Sequence, residues 1–268
     1  MKEQTKNRFF QSILLKFYHF LSKEDALPKR TYLYDFNRMI EELKPCDVLL
    51  VESHTRIGNI IRLISESNWT HAALYIGRAA DISDPELRKR LSQYSNHAPS
   101  EQLIIESILG KGTIVSTLAS YRNEHLRVLR PSSLLPEDAK QVIAFAIRDL
   151  GEKYSLRQLF DLARFIFPWS IFPRRWRSSL FQHNMLQPTE DICSSMIAFA
   201  FLSVNYPILP LIKKQGRHYA FTQRNPRLYI PSDFDLSPYF DIIKYPICPL
   251  HPGMSYRDLP WNTIISDT

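Results

Sequence analysis

A mixed α+β fold is expected from three features of this 268-residue sequence. Short apolar runs rich in branched residues cluster in the middle of the chain, helix-periodic segments alternate with them, and a late apolar helix opens on a cysteine. Hydrophobic residues make up 44% and aromatics 12%, which fills one large domain or two small ones. Seven glycines against eighteen prolines argue for stiff loops rather than flexible linkers.

Taken in order, residues 4–22 repeat Phe9, Phe10, Ile13, Leu14, Phe17, Phe20 and Leu21 at helical spacing, with Lys and Arg between them. This predicts an amphipathic helix that packs on the domain or lies on a membrane surface. "DVLLVES" (47–53) reads as a buried strand. "RIGNIIRLISES" sets Ile57, Ile60, Ile61 and Ile64 on one helical face, and "THAALYIG" (70–77) reads as a second strand. "QLIIESI" (102–108) and "HLRVLRP" (125–131) are further strands. Residues 136–150 open with Pro and two acids, good helix-start signals, and Gly151 suits the stop. After another helical stretch near 155–166, the prolines, tryptophans and arginines of "FIFPWSIFPRRWRSSLF" (165–181) point to an insertion or lid. The tail "IPSDFDLSPYFDIIKYP" (230–246) predicts a capped turn followed by a short strand. The organisation expected is an N-terminal helical extension (1–44), a main domain (45–246) with an insertion at about 165–190, and a C-terminal tail (247–268).

Cys46, Cys193 and Cys248 are too few and scattered for a disulfide framework, which favours a reducing compartment. The N-terminal helix, interrupted by Lys16 and His19, reads as neither signal peptide nor membrane span. A cytoplasmic location is expected, with peripheral membrane attachment as the option. The net charge of +7 is uneven: residues 1–30 carry seven Lys/Arg against three acids, 153–182 six against one, and 205–230 five against none. Such patches suit anionic lipid or an acidic partner, or are solvated basic faces. No nucleic-acid motif accompanies the charge, so nucleic acid is not an expected partner.

The chemistry centres on "DICSSMIAFAF" (191–201). Asp191 can cap a helix whose first turn holds Cys193, and the unsatisfied amides there favour a thiolate. A thiolate nucleophile needs an imidazole and a group that fixes the imidazole's tautomer. Of eight histidines, His71 opens a strand in which alternation sends His71, Ala73 and Tyr75 to one face and Ala72, Leu74 and Ile76 to the other. Glu106 is an acid inside an apolar strand, and its burial demands a partner that a histidine on the neighbouring strand, or one of the many arginines, can supply. Cys248 and His251 have a C-x-x-H spacing, but no second pair completes a zinc site, so neither metal nor cofactor is expected.

"CDVLLVES", "NWTHAALYIG", "LIIES" and "DICSSMIAFAF" together resemble the permuted NlpC/P60 group of papain-like cysteine hydrolases, in its YiiX/YaeF-like and poxvirus-like branch. The order His71, Glu106, Cys193 is the one that circular permutation requires, and the resemblance covers roughly residues 45–245. Cys46 stands where that family usually has glycine. The resemblance implies a central antiparallel sheet or partial barrel packed against the cysteine helix. It also implies a catalytic set of Cys193, His71 and Glu106 acting through an acyl-enzyme on an amide or ester, with lipid-linked substrates included. The alternative is a non-catalytic module that binds anionic membrane or an acidic partner through its basic and aromatic segments. The binding reading gives no reason for Cys, His and Glu to converge.

Overall fold

The computed structural model describes residues 34–53, 55–108, 111–152, 193–215 and 218–261. The expected N-terminal amphipathic helix, the helical stretch near 155–166, the 165–190 insertion and the Asp191 cap lie outside the described residues.

Six strands form one antiparallel sheet: β1 (Val48–Glu52), β2 (His71–Arg78), β3 (Gln102–Ile108), β4 (Gly112–Thr117), β5 (His125–Pro131) and β8 (Phe240–Ile243). Their spatial order is β4-β3-β2-β1-β5-β8. The runs that build β1, β2 and β3 are buried almost throughout, because the sheet is covered on both faces rather than one. Alternation then sorts side chains into two cores. Val48, Leu50, Ala72, Leu74, Ile76 and Ile105 enter one, and Leu49, Val51, Ala73, Tyr75, Ile104 and Val128 the other.

The first core is closed by helices α3 (Pro85–Tyr94), α4 (Pro136–Arg148) and α5 (Cys193–Leu202). Asp84 caps α3 by accepting from the amides of Glu86 and Leu87, and Pro85 fills its first position. α5 has no polar face, consistent with a helix buried on all sides; Met196, Ile197, Ala198, Ala200 and Phe201 are buried. It packs on β2 and β3. Past its end, Tyr206 donates to the carbonyls of Ser132 (3.0 Å) and Tyr239 (2.6 Å). Phe201 meets Phe240 edge-on at 5.2 Å. Helix α1 (Phe36–Glu42), capped by Asp35, closes the second core with Phe36 and Met39. A separate hairpin, β6 (Leu211–Gln215) and β7 (His218–Thr222), and the short helix α6 (Pro231–Asp235) follow α5. Among the described residues no helix is long and apolar enough to cross a membrane.

Backbone demands explain three positions. Cys46 has φ of 75°, the left-handed region that favours glycine. The turn is kept because Cys46 N–H donates to the Tyr75 carbonyl and Asp47 N–H to that of Lys44, both at 2.9 Å, while the side chain is fully buried. Gly151, at φ +85°, ends the segment after α4, and a Cβ there would meet the Tyr94 ring at 2.5 Å.

Gly58 lies in α2 (Arg56–Ser65), where alanine ordinarily stabilises by about 1 kcal/mol. A Cβ at that position would sit 2.6 Å from the Ser53 carbonyl oxygen, which is backbone and cannot swing aside. Gly58→Ala is expected to destabilise by about 1–3 kcal/mol in urea unfolding; a gain in stability would show that the contact relaxes at no cost.

Candidate active site

β2 and β3 pair so that Ala73 faces Glu106 across the ladder, which puts His71 and Glu106 on one face two positions apart. His71 Nε2 and Glu106 Oε2 are 2.7 Å apart. Glu106 is 2% exposed, so its charge has been taken out of water and must be held by partners. Tyr121 O–H donates to the same carboxylate oxygen, and Ser116 supplies a further hydrogen bond. Burial alone pushes the Glu106 carboxyl up, but the hydrogen bonds and the neighbouring His71 outweigh it and hold the group below the usual carboxylate range.

An ionised Glu106 accepts, so His71 Nε2 carries the proton and Nδ1 is the basic nitrogen. The Tyr121 ring lies parallel to the imidazole, 5° between planes and 6.5 Å between centroids. The pair therefore has what a general base requires: a fixed tautomer, a fixed ring plane and a carboxylate to stabilise the imidazolium. Tyr121 was not legible in sequence. It comes from a 3₁₀ turn, Leu118–Tyr121, that folds back over the sheet after β4, and nothing in "LASY" announces that contact.

Cys193 is the first residue of α5, as the capped apolar run predicts, and its side chain lies outside the described residues. The helix packs on the two strands that carry His71 and Glu106, yet its apolar side chains enter the core on the other face of the sheet. Past the end of α5, Tyr206 reaches the carbonyl of Ser132, which follows Pro131 at the end of β5 away from the β1 residues that pair with His71. In the first turn Ser194 Oγ donates to the Tyr229 carbonyl at 2.5 Å, which ties the helix start to the segment before α6.

A second histidine–carboxylate pair occupies the α5 face. His125 Nδ1 lies 2.7 Å from Glu52 Oε2, and Arg62 donates to Glu52 Oε1 at 3.3 Å. The His125 ring tilts against Trp69, whose Nε1 donates to Asp235 Oδ2 at 3.1 Å. Arg127 bonds both oxygens of Asp235 at 2.6 and 2.7 Å and lies over the Trp69 ring. Here Glu52 already carries an arginine, so it is less a dedicated imidazole orienter than one member of a charge network joining α2, β1, β5 and α6.

The remaining cysteines differ from a nucleophile in opposite ways. Cys46 is buried, its Sγ donates to the Ala139 carbonyl at 3.4 Å, and burial pushes its thiol up to about 12. Cys248 is exposed.

Residues 42–162 match the family described as permuted papain-like amidase enzyme, YaeF/YiiX, C92 family. The match takes in β1, His71 and Glu106 and ends before Cys193. Among solved structures the chain is similar to the crystal structure of metalloprotein yiiX from Escherichia coli O157:H7, with 13% identity and a TM-score of 0.44 over 75% of this chain and 97% of that one. No curated protein matches the chain.

Proposed function

We propose that this chain, whose residues 42–162 match the permuted papain-like amidase family, is a cysteine hydrolase or acyltransferase working on an amide or ester bond. Cys193 attacks the carbonyl, and His71 Nδ1 takes the thiol proton and returns it to the leaving group. Glu106 and Tyr121 hold the imidazole and balance its charge. The acyl group passes to Cys193 as a thioester, the C–N or C–O bond of the substrate breaks, and water or a second nucleophile releases the acyl group. Amides at the start of α5 are the natural donors for the oxyanion. The observation that carries this reading is the buried Glu106 carboxyl bonded to His71 at 2.7 Å on the strands against which the cysteine helix packs.

Thiol reactivity tests it directly. At neutral pH one equivalent of a carbonyl-directed electrophile is expected on Cys193, found by peptide mass mapping of the folded protein. The exposed Cys248 should follow at the rate of an ordinary thiol and Cys46 should not react, since its thiolate is disfavoured and its Sγ buried. Labelling of Cys248 ahead of Cys193 would remove the nucleophile from the proposal.

A further inference from the structure

The hairpin β6–β7 is not used by the chemistry above, and its side chains have an unusual distribution. Ile212 faces Phe221 and Lys214 faces Tyr219 across the ladder, so these four share one face. Ile212 is 54% exposed, Tyr219 63% and Phe221 57%. A two-stranded hairpin gains stability only by packing an apolar face, and here these three large apolar side chains stand in water, as does Leu211 on the opposite face. Lys214 is exposed on the Ile212 face and Lys213 on the opposite one, and from Leu211 to Ile230 the sequence contains five Lys/Arg and no acid. The apolar strip continues into a cavity of about 150 Å³ at the hairpin's root, lined by Leu202, Pro207, Ile208, Pro210, Phe221 and Tyr229 together with Asn205 and Gln223.

We propose that this hairpin is a membrane-docking element, which seats Ile212, Tyr219 and Phe221 in the interface of a bilayer containing anionic lipid while Lys213 and Lys214 meet the headgroups. Charge selects this occupant. A strip meant for a second copy of the same chain would bring its lysines against identical lysines, whereas an anionic surface complements both parts of the strip at once. Tyrosine and phenylalanine beside lysine are the side chains whose apolar bodies and polar tips suit the headgroup level. Docking of the hairpin does not depend on the Cys193 chemistry, and the test reads the two separately.

Flotation of the full chain with vesicles of phosphatidylcholine alone and with about 30% phosphatidylserine is the experiment. Binding is expected to the anionic vesicles, weakening as salt screens the lysines. Lys213→Gln with Lys214→Gln should weaken it by about fivefold per lysine. Ile212→Ser, Tyr219→Ser and Phe221→Ser together should lower binding at least tenfold while leaving the rate of Cys193 alkylation as in the parent. Phe221→Trp provides a readout that survives any misfolding of the triple variant: the emission it adds to that of the parent's four tryptophans should shift to the blue and be quenched by brominated lipid in anionic vesicles. Unchanged flotation in the triple variant, an unquenched indole signal from Phe221→Trp, equal binding to neutral and anionic vesicles, or dimerisation in solution that these substitutions abolish would each overturn the proposal.

Discussion

Cys193→Ala should lower the turnover of an activated ester or anilide by about 10⁴-fold or more, the scale on which removing a covalent nucleophile leaves only binding and oxyanion stabilisation. His71→Ala should come close to the same floor, because in the proposed mechanism the two side chains act as one unit and their losses do not add. Glu106→Gln is the sharper test. The amide keeps the shape but can donate to Nε2, which favours the tautomer with its proton on Nδ1, the nitrogen needed as base. A loss of about 10²–10⁴-fold follows on the precedent of the carboxylate-to-amide change in a serine triad. His125→Ala, which breaks the other histidine–carboxylate pair, should leave the rate within about threefold. The reverse pattern, with His125 essential and His71 dispensable, would move the base to the α5 face of the sheet. The pH dependence has a definite sign. The Glu106 carboxyl is held low in the folded protein, so its contribution to stability is present above the unfolded carboxylate value and is lost as pH falls through the folded one.

The strands that carry His71 and Glu106 were legible because alternation and apolar runs are local properties. "QLIIESI" and "HLRVLRP" are strands over the expected residues, and the face assignment of His71, Ala73 and Tyr75 holds in the packing. Glu106 was marked as needing a partner, and the structure supplies His71. The departure at Cys46 also acquired a cause, since the position takes a positive φ that glycine adopts freely and cysteine only under constraint. What escaped were elements whose evidence is nonlocal or weak in hydropathy. α3 presents only Leu87 and Leu91 to the core, so its periodicity is faint despite a capped, proline-led start. β6 and β7 register in the sequence only as part of a basic stretch, because their apolar residues are exposed and give no buried pattern. The Arg127–Asp235 and Arg130–Asp47 pairs join residues 108 and 83 positions apart, a relation that no local pattern encodes.

The largest stability effect is expected at Arg130. Asp47 is fully buried at the start of β1 and accepts from the Lys44 amide at 2.8 Å and from Arg130 Nε and Nη2 at 2.9 and 2.7 Å. Removing the guanidinium leaves a buried carboxylate with one amide, and Arg130→Met should therefore cost about 3–5 kcal/mol in chemical unfolding. Burial already raises the Asp47 carboxyl in the folded protein, with Arg130 pulling it back only in part. An acid raised on folding contributes stability that is fully present below its unfolded value, near pH 4, and lost as pH rises through the folded value. Without Arg130 the rise is larger, so the deficit of the variant should be greatest at neutral pH and shrink as the solution is acidified below the unfolded carboxylate range. Asp47→Asn in the Arg130→Met background separates charge from packing: it should recover part of the loss at neutral pH and none in acid, where Asp47 is already neutral. A deficit that stays constant from pH 7 to pH 4, or that Asp47→Asn deepens, would show that Arg130 supports β1 through its bond to the Glu42 carbonyl and its packed stem rather than through the buried charge.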